Sequence, residues 1–115
     1  MKSEKNSALL KLSLSSEARR DLKNIQDYIA EERESPKTAL KVIEQILDKI
    51  DGVLRLPNCG TLLSPKVNFP TNYRYKRAVG YLIFYRYENN QIFVDRIIHE
   101  KRDYIPILFP KTDEQ

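Results

Sequence analysis

Tryptophan is absent from this chain, and cysteine, histidine and methionine occur once each. A lone Cys59 closes no internal disulfide, and it has no cluster of partners with which to hold zinc. Without a disulfide framework, the simplest expectation is an intracellular, cytosolic protein. The three glycines, at positions 52, 60 and 80, are too scattered to form a phosphate-cradling loop. No Gly-x-Ser-x-Gly elbow supports a serine nucleophile, and no paired-carboxylate signature supports acid–base work by acids, which sit mostly on helix surfaces. The longest apolar runs, such as residues 105–109, are far too short to span a bilayer. The lysine-bearing first residues lack an apolar core and a cleavage site, so no signal peptide is expected. The expectation is a protein without metal, cofactor or membrane.

What is present is the composition of one soluble globular domain: 115 residues, 41% of them apolar and 31% charged. The net charge of +4 is unevenly spread. Residues 15–54 carry seven Lys/Arg against nine Asp/Glu, a balance of −2. Residues 55–102 carry nine against three, a balance of +6. A field of that sign attracts polyanions, either nucleic acid or an acidic protein segment. A merely solvated surface is the plainer alternative.

Residues 1–8 are expected to form a flexible N-terminus, 9–110 a single domain and 111–115 a flexible tail. Partial alternation over residues 8–14 predicts a first strand. Ser15 or Ser16 then caps a helix whose Ala18, Leu22, Ile25 and Ile29 form one apolar stripe. Ser35-Pro36 opens a second helix running to about Leu54, with a broader apolar face through Ala39, Val42, Ile43, Ile46, Leu47 and Ile50. The short break between them predicts an antiparallel helical hairpin. Residues 55–72 hold three prolines and an Asn-Cys-Gly turn signal, which predicts a loop. The period then changes to two over residues 73–77, 81–87 and 91–98. Gly80 falls between the first two of these strands, and Asn89-Asn90 suits a tight hairpin between the last two. The predicted fold is α+β, with β-α-α-β-β-β order and the helical hairpin packed on an antiparallel sheet. The other face would be open or partly covered by the apolar tail at residues 104–109.

One group of side chains has the chemistry to handle phosphate. Arg74, Lys76 and Arg77 lie in the first strand of the meander, Arg96 in the last, and His99, Lys101, Arg102 and Tyr104 follow it. Adjacent strands would let Arg77 approach His99 although they are distant in sequence. Metal-free RNA cleavage needs an acid–base pair and cations on the phosphate, which histidine and arginine supply. Against this, a single histidine at a strand end is more often a structural hydrogen-bonding residue. The tyrosines at 73, 75, 81, 85 and 87 suit sheet packing better than base stacking.

The stretch ARRDLKNIQDYIAEE, followed by SPKTALKVIEQILDKIDGVLRLPNCG, resembles the N-terminal half of the RelE/ParE superfamily of bacterial toxins. YRYKRAVGYLIFYRYENNQIFVDRIIHEKRDY is similar to that superfamily's arginine, Val-Gly-Tyr, Phe-Tyr-Arg and His-x-x-Arg-Asp signature. The likeness covers roughly residues 9–108. It implies the toxin of a type II toxin–antitoxin module, arresting bacterial growth and neutralised by a cognate antitoxin that wraps acidic and amphipathic segments over it. It also implies one of two targets. ParE-like members inhibit DNA gyrase; RelE-like members cut mRNA on the ribosome as metal-independent endoribonucleases. In the second case Arg77 and Arg102 would hold the phosphate, His99 would act as acid or base, and Tyr104 would stack or orient. Arg74, Lys76, Arg96 and Lys101 would contact nucleic acid or target. Tyr104 lies closer to the arginine than is usual for RelE. The Val-Gly-Tyr and His-x-x-Arg-Asp forms look more ParE-like, which slightly favours gyrase.

Overall fold

The computed structural model describes residues 10–111. Expectations for residues 1–8, for the start of the first strand and for nearly all of the C-terminal tail lie outside that range. The elements run β1 (Lys11–Leu14), α1 (Ser16–Glu32), α2 (Pro36–Arg55), a 3-10 turn (Pro57–Cys59), β2 (Thr61–Leu62), α3 (Ser64–Val67), β3 (Arg74–Ala78), β4 (Tyr81–Glu88), β5 (Gln91–His99) and α4 (Ile105–Leu108).

Local chemistry sets the helix starts. The Ser15 hydroxyl accepts the Ala18 amide at 2.9 Å, and the Ser35 hydroxyl accepts that of Thr38 at 3.2 Å. Pro36, which has no N–H to lose, follows Ser35 at the first helical position. The apolar stripes then bury Ala18 and Ile25 of α1 and Ile46, Ile50 and Val53 of α2 against the sheet.

The sheet order is β1-β5-β4-β3-β2. β3, β4 and β5 form the expected antiparallel meander. β1 pairs with β5 in parallel, so the sheet is mixed. Parallel neighbours need a long crossover, and everything between β1 and β5 supplies it. The proline-rich segment is more structured than a plain loop: it adds β2 at the sheet edge and the short α3. α3 and α4 cover the sheet face opposite the helical hairpin. Leu63, Val67 and Leu108 there bury Leu82, Phe84 and Ile98.

Both hairpin turns use left-handed backbone. Asn89 and Asn90 have φ of 51° and 60°, which asparagine tolerates. Val79 and Gly80 have φ of 44° and 90°. Gly80 takes this freely; Val79 is β-branched and pays for it in strain.

One irregularity matters most. In β5, Val94 pairs with Tyr85 and Arg96 with Phe84, so Asp95 is an extra residue, a β-bulge. The bulge is pinned from both sides. Ser15 donates its hydroxyl to the Asp95 carbonyl at 2.7 Å. The Asp95 carboxylate accepts from Tyr73 Oη at 2.7 Å and Arg86 Nε at 2.8 Å.

Candidate functional site

The bulge decides where the signature residues point. With strictly paired strands, the Asn89-Asn90 turn would set Ile97 opposite Leu82, and His99 would share a face with Arg77. The extra residue instead sets Ile98 opposite Leu82 and His99 opposite Tyr81. Arg77 pairs with Leu82, so Arg77 and His99 lie on opposite faces of the sheet. The expected single site of Arg77, His99, Arg102 and Tyr104 is thus divided between two clefts.

The first cleft, about 760 Å³, lies on the helical-hairpin face. α1 contributes Tyr28 and α2 Val42; Val79, His99 and Arg102 come from the sheet and its turns, and Arg33 from the break between the helices. His99 packs edge-on against Tyr81, with ring centroids 5.2 Å apart. Its Nδ1 accepts the Lys101 amide at 3.1 Å, which leaves Nε2 to carry the proton of the neutral ring. Burial, then Tyr28, pushes the Tyr81 hydroxyl above its ordinary pKa. Tyr28 is 60% exposed and Val79 45%, so two apolar side chains stand at this cleft without partners.

Arg96 also borders the first cleft, but it is tied down. β1 ends at Leu14, and once Ser15 has taken the Asp95 carbonyl, the edge of β5 has no strand partner. Asp21 of α1 fills the gap: its carboxylate accepts the Ile97 amide at 2.8 Å and both Nε and Nη2 of Arg96 at 2.8 and 2.9 Å. The Asp21 hydrogen bond holds the Arg96 guanidinium above its ordinary pKa, against burial. Arg96 therefore locks α1 to the sheet.

The second cleft, about 400 Å³, lies on the opposite face. It holds Lys66, Tyr75, Arg77, Glu100, Lys101 and Tyr104, with Leu82 as floor. Arg77 is exposed and pairs with Glu100. The Tyr104 ring packs on buried Phe84 at 5.0 Å, and Lys66 Nζ sits 5.9 Å from the Tyr75 ring centroid.

Arg74 and Lys76 are in neither cleft. Arg74 donates to the carbonyls of Asn58 and Gly60 at 3.2 and 2.8 Å and so fastens the turn after α2. Lys76, two residues on, shares the hairpin side of β3 with it and is half-buried.

Sequence reasoning missed Tyr28, Arg33 and Val79 in the first cleft and Lys66 in the second. The one signal at Val79 was its place directly before Gly80, where many turns keep the first residue at negative φ; its left-handed φ is seen in the structure alone. Lys66 carried none. Among the described residues no group of three His, Cys, Asp or Glu could hold a metal ion, and no helix is long and apolar enough to cross a membrane.

Known proteins place this architecture. No curated protein sequence matches the chain. Among solved structures, a chain described as the chromosomal ParDE TA system from P. aeruginosa superposes with a TM-score of 0.67 at 19% identity, over 79% of this chain and 96% of that one. At that identity the likeness speaks for the fold. The sequence model for the ParE toxin of the type II toxin–antitoxin system parDE matches residues 12–104, from β1 to the tyrosine beyond the signature arginine. The match spans all but the ends of the chain, and the protein belongs to the ParE toxin family of type II toxin–antitoxin systems.

Proposed function

We propose that this toxin arrests bacterial growth by binding and inhibiting DNA gyrase, and that a cognate antitoxin neutralises it. The supporting observation is the separation of Arg77 from His99. Metal-free RNA cleavage asks one site to hold the phosphate and move the proton. Here the bulge turns those two groups to opposite faces, an arrangement better suited to binding than to catalysis. The first cleft suits an acidic, amphipathic antitoxin segment. Tyr28 and Val79 offer apolar contacts, while Arg33 and Arg102 offer charge partners for carboxylates.

A second reading, ribosome-dependent mRNA cleavage, draws on one observation: His99 and Arg102 still line the same cleft. Brief induction without antitoxin separates the two. Gyrase inhibition predicts filamentous cells, a DNA damage response, intact transcripts and loss of supercoiling by purified gyrase when toxin is added. It also predicts that His99→Ala retains toxicity. New RNA 5′ ends within minutes, lost in His99→Ala at unchanged melting temperature, would replace the gyrase reading with the nuclease one.

A further inference from the structure

We propose that the outer face of α2 pairs with the same face of a second copy of this toxin, the two helices running antiparallel about a two-fold axis near Glu44. This goes beyond gyrase inhibition and antitoxin binding and depends on neither. Two leucines mark the face. Leu40 is 52% exposed and Leu47 44%, and they stand two turns apart along one side of the helix. Half-buried Ile43 continues the apolar strip toward the core. This side is not the one on the first cleft. Leu47 lies roughly 140° around the helix axis from Val42, which lines that cleft.

The charges beside these leucines identify the occupant. Exposed Lys37 and Lys41 stand in the first part of the helix, and exposed Glu44, Asp48 and Asp51 follow. Within one protomer that order is unfavourable. Lys37 sits in the first turn, where the macrodipole favours an anion, and that turn holds no acid. Lys37 and Lys41 repel each other at four-residue spacing, as do Glu44 and Asp48. The ion pair that α2 does make, Asp51 with Arg55, leaves both lysines out. An antiparallel second α2 turns the same order into complementarity. Centred on Glu44, it sets Leu40 against Leu47, Lys37 against Asp51 and Lys41 against Asp48 of the second copy, each contact made twice. Glu44 at the axis lies within one turn of Lys41 of the second copy. A parallel copy would place like charge on like, and a partner of uniform charge would be repelled by one half of the face.

Sedimentation equilibrium of the purified toxin, without antitoxin, reads the association. One helix pair is a small interface, so a dissociation constant on the order of tens of micromolar is expected, with the mass rising from monomer toward dimer between about 1 and 200 μM. Lys37→Glu/Lys41→Glu and Glu44→Lys/Asp48→Lys each leave the face mostly of one sign, and each variant alone should associate about tenfold or more weakly. Mixed in equal amounts, the two should form a heterodimer within about threefold of the original affinity. Leu40→Gln/Leu47→Gln should also lose about tenfold, while Tyr28→Ser, in the first cleft, should change association less than about twofold. A toxin that stays monomeric throughout the range would overturn the proposal and leave the face to a different protein. Charge variants that associate as the parent does, or a mixture that stays monomeric, would overturn it as well. A loss in Tyr28→Ser equal to that in the leucine variant would move the contact to the first cleft and refute it too. All the substituted side chains are exposed, and circular dichroism checks that each variant folds.

Discussion

Removing the Asp21 carboxylate tests how α1 is held to the sheet. In Asp21→Ala three hydrogen bonds disappear together, two from Arg96 and one from the Ile97 amide. The Asp21 side chain is 12% exposed and that of Arg96 26%, so the stranded guanidinium regains only part of its hydration. Breaking a well-buried pair costs about 3–5 kcal/mol, and the partial exposure of Arg96 discounts that to about 2. The Ile97 amide, left without an acceptor, adds about 1 kcal/mol. The sum of about 3 kcal/mol should lower the melting temperature by roughly 10 °C or more for a domain of this size. Urea unfolding at neutral pH reads the same quantity through the midpoint, with the slope unchanged. Asp21→Asn, which keeps an oxygen for the Ile97 amide, should lose about half as much. In the double variant Asp21→Ala/Arg96→Ala, a coupling of about 2 kcal/mol between the two sites is expected. A loss below about 1 kcal/mol in Asp21→Ala, or no coupling, would show that the lock contributes little and that apolar packing alone seats α1.

Two glycines should respond oppositely to alanine. A Cβ at Gly60 would lie 2.5 Å from Tyr85 Oη and 2.7 Å from its Cε1, and Tyr85 is fully buried, so Gly60→Ala should cost about 2 kcal/mol in urea unfolding. A Cβ at helical Gly52 meets nothing within 4 Å, and Gly52→Ala should gain about 0.5–1 kcal/mol. At the β3–β4 turn, Val79→Asn relieves a left-handed β-branched residue and should raise stability by about 1 kcal/mol while weakening antitoxin binding, read by calorimetry on the complex. In alkali, burial and the Asp95 hydrogen bond hold the Tyr73 proton well above its ordinary pKa of 10.0. Above pH 10 the unfolded chain releases that proton while the native one keeps it, so this part of the stability is intact below pH 10 and falls as pH rises further, by about 1.4 kcal/mol per pH unit. Tyr73→Phe should flatten the decline of urea midpoints between pH 10 and 11.5; an unchanged slope would refute the assignment.

The elements with local causes were legible in the sequence. Ser15, Ser35-Pro36, Asn89-Asn90 and Gly80 each announced a boundary through backbone chemistry, and the three-to-four spacing announced the buried faces of both helices. The elements with distant causes were not. β2 has two residues and α3 and α4 four each, too few to show a period; they exist because Leu63, Val67 and Leu108 find Phe84 and its neighbours. Nothing near β1 says that it runs parallel to a strand some 80 residues later. Arg77, His99, Lys101 and Arg102 lie near one end of the sheet, while Arg74 and Lys76 stand apart from them. The division between two faces escaped because it follows from Asp95, whose bulge is held by Ser15, Tyr73 and Arg86, the first two remote in sequence.

That extra place in β5 has a consequence for kinship. A cousin lacking it would spell the same letters around its histidine yet turn the imidazole to the reverse side of the molecule. Likeness of spelling along this strand therefore does not guarantee a shared working surface. Parity, odd or even, from the asparagine turn to the histidine is what a comparison of such toxins has to respect before it carries a role from one to another.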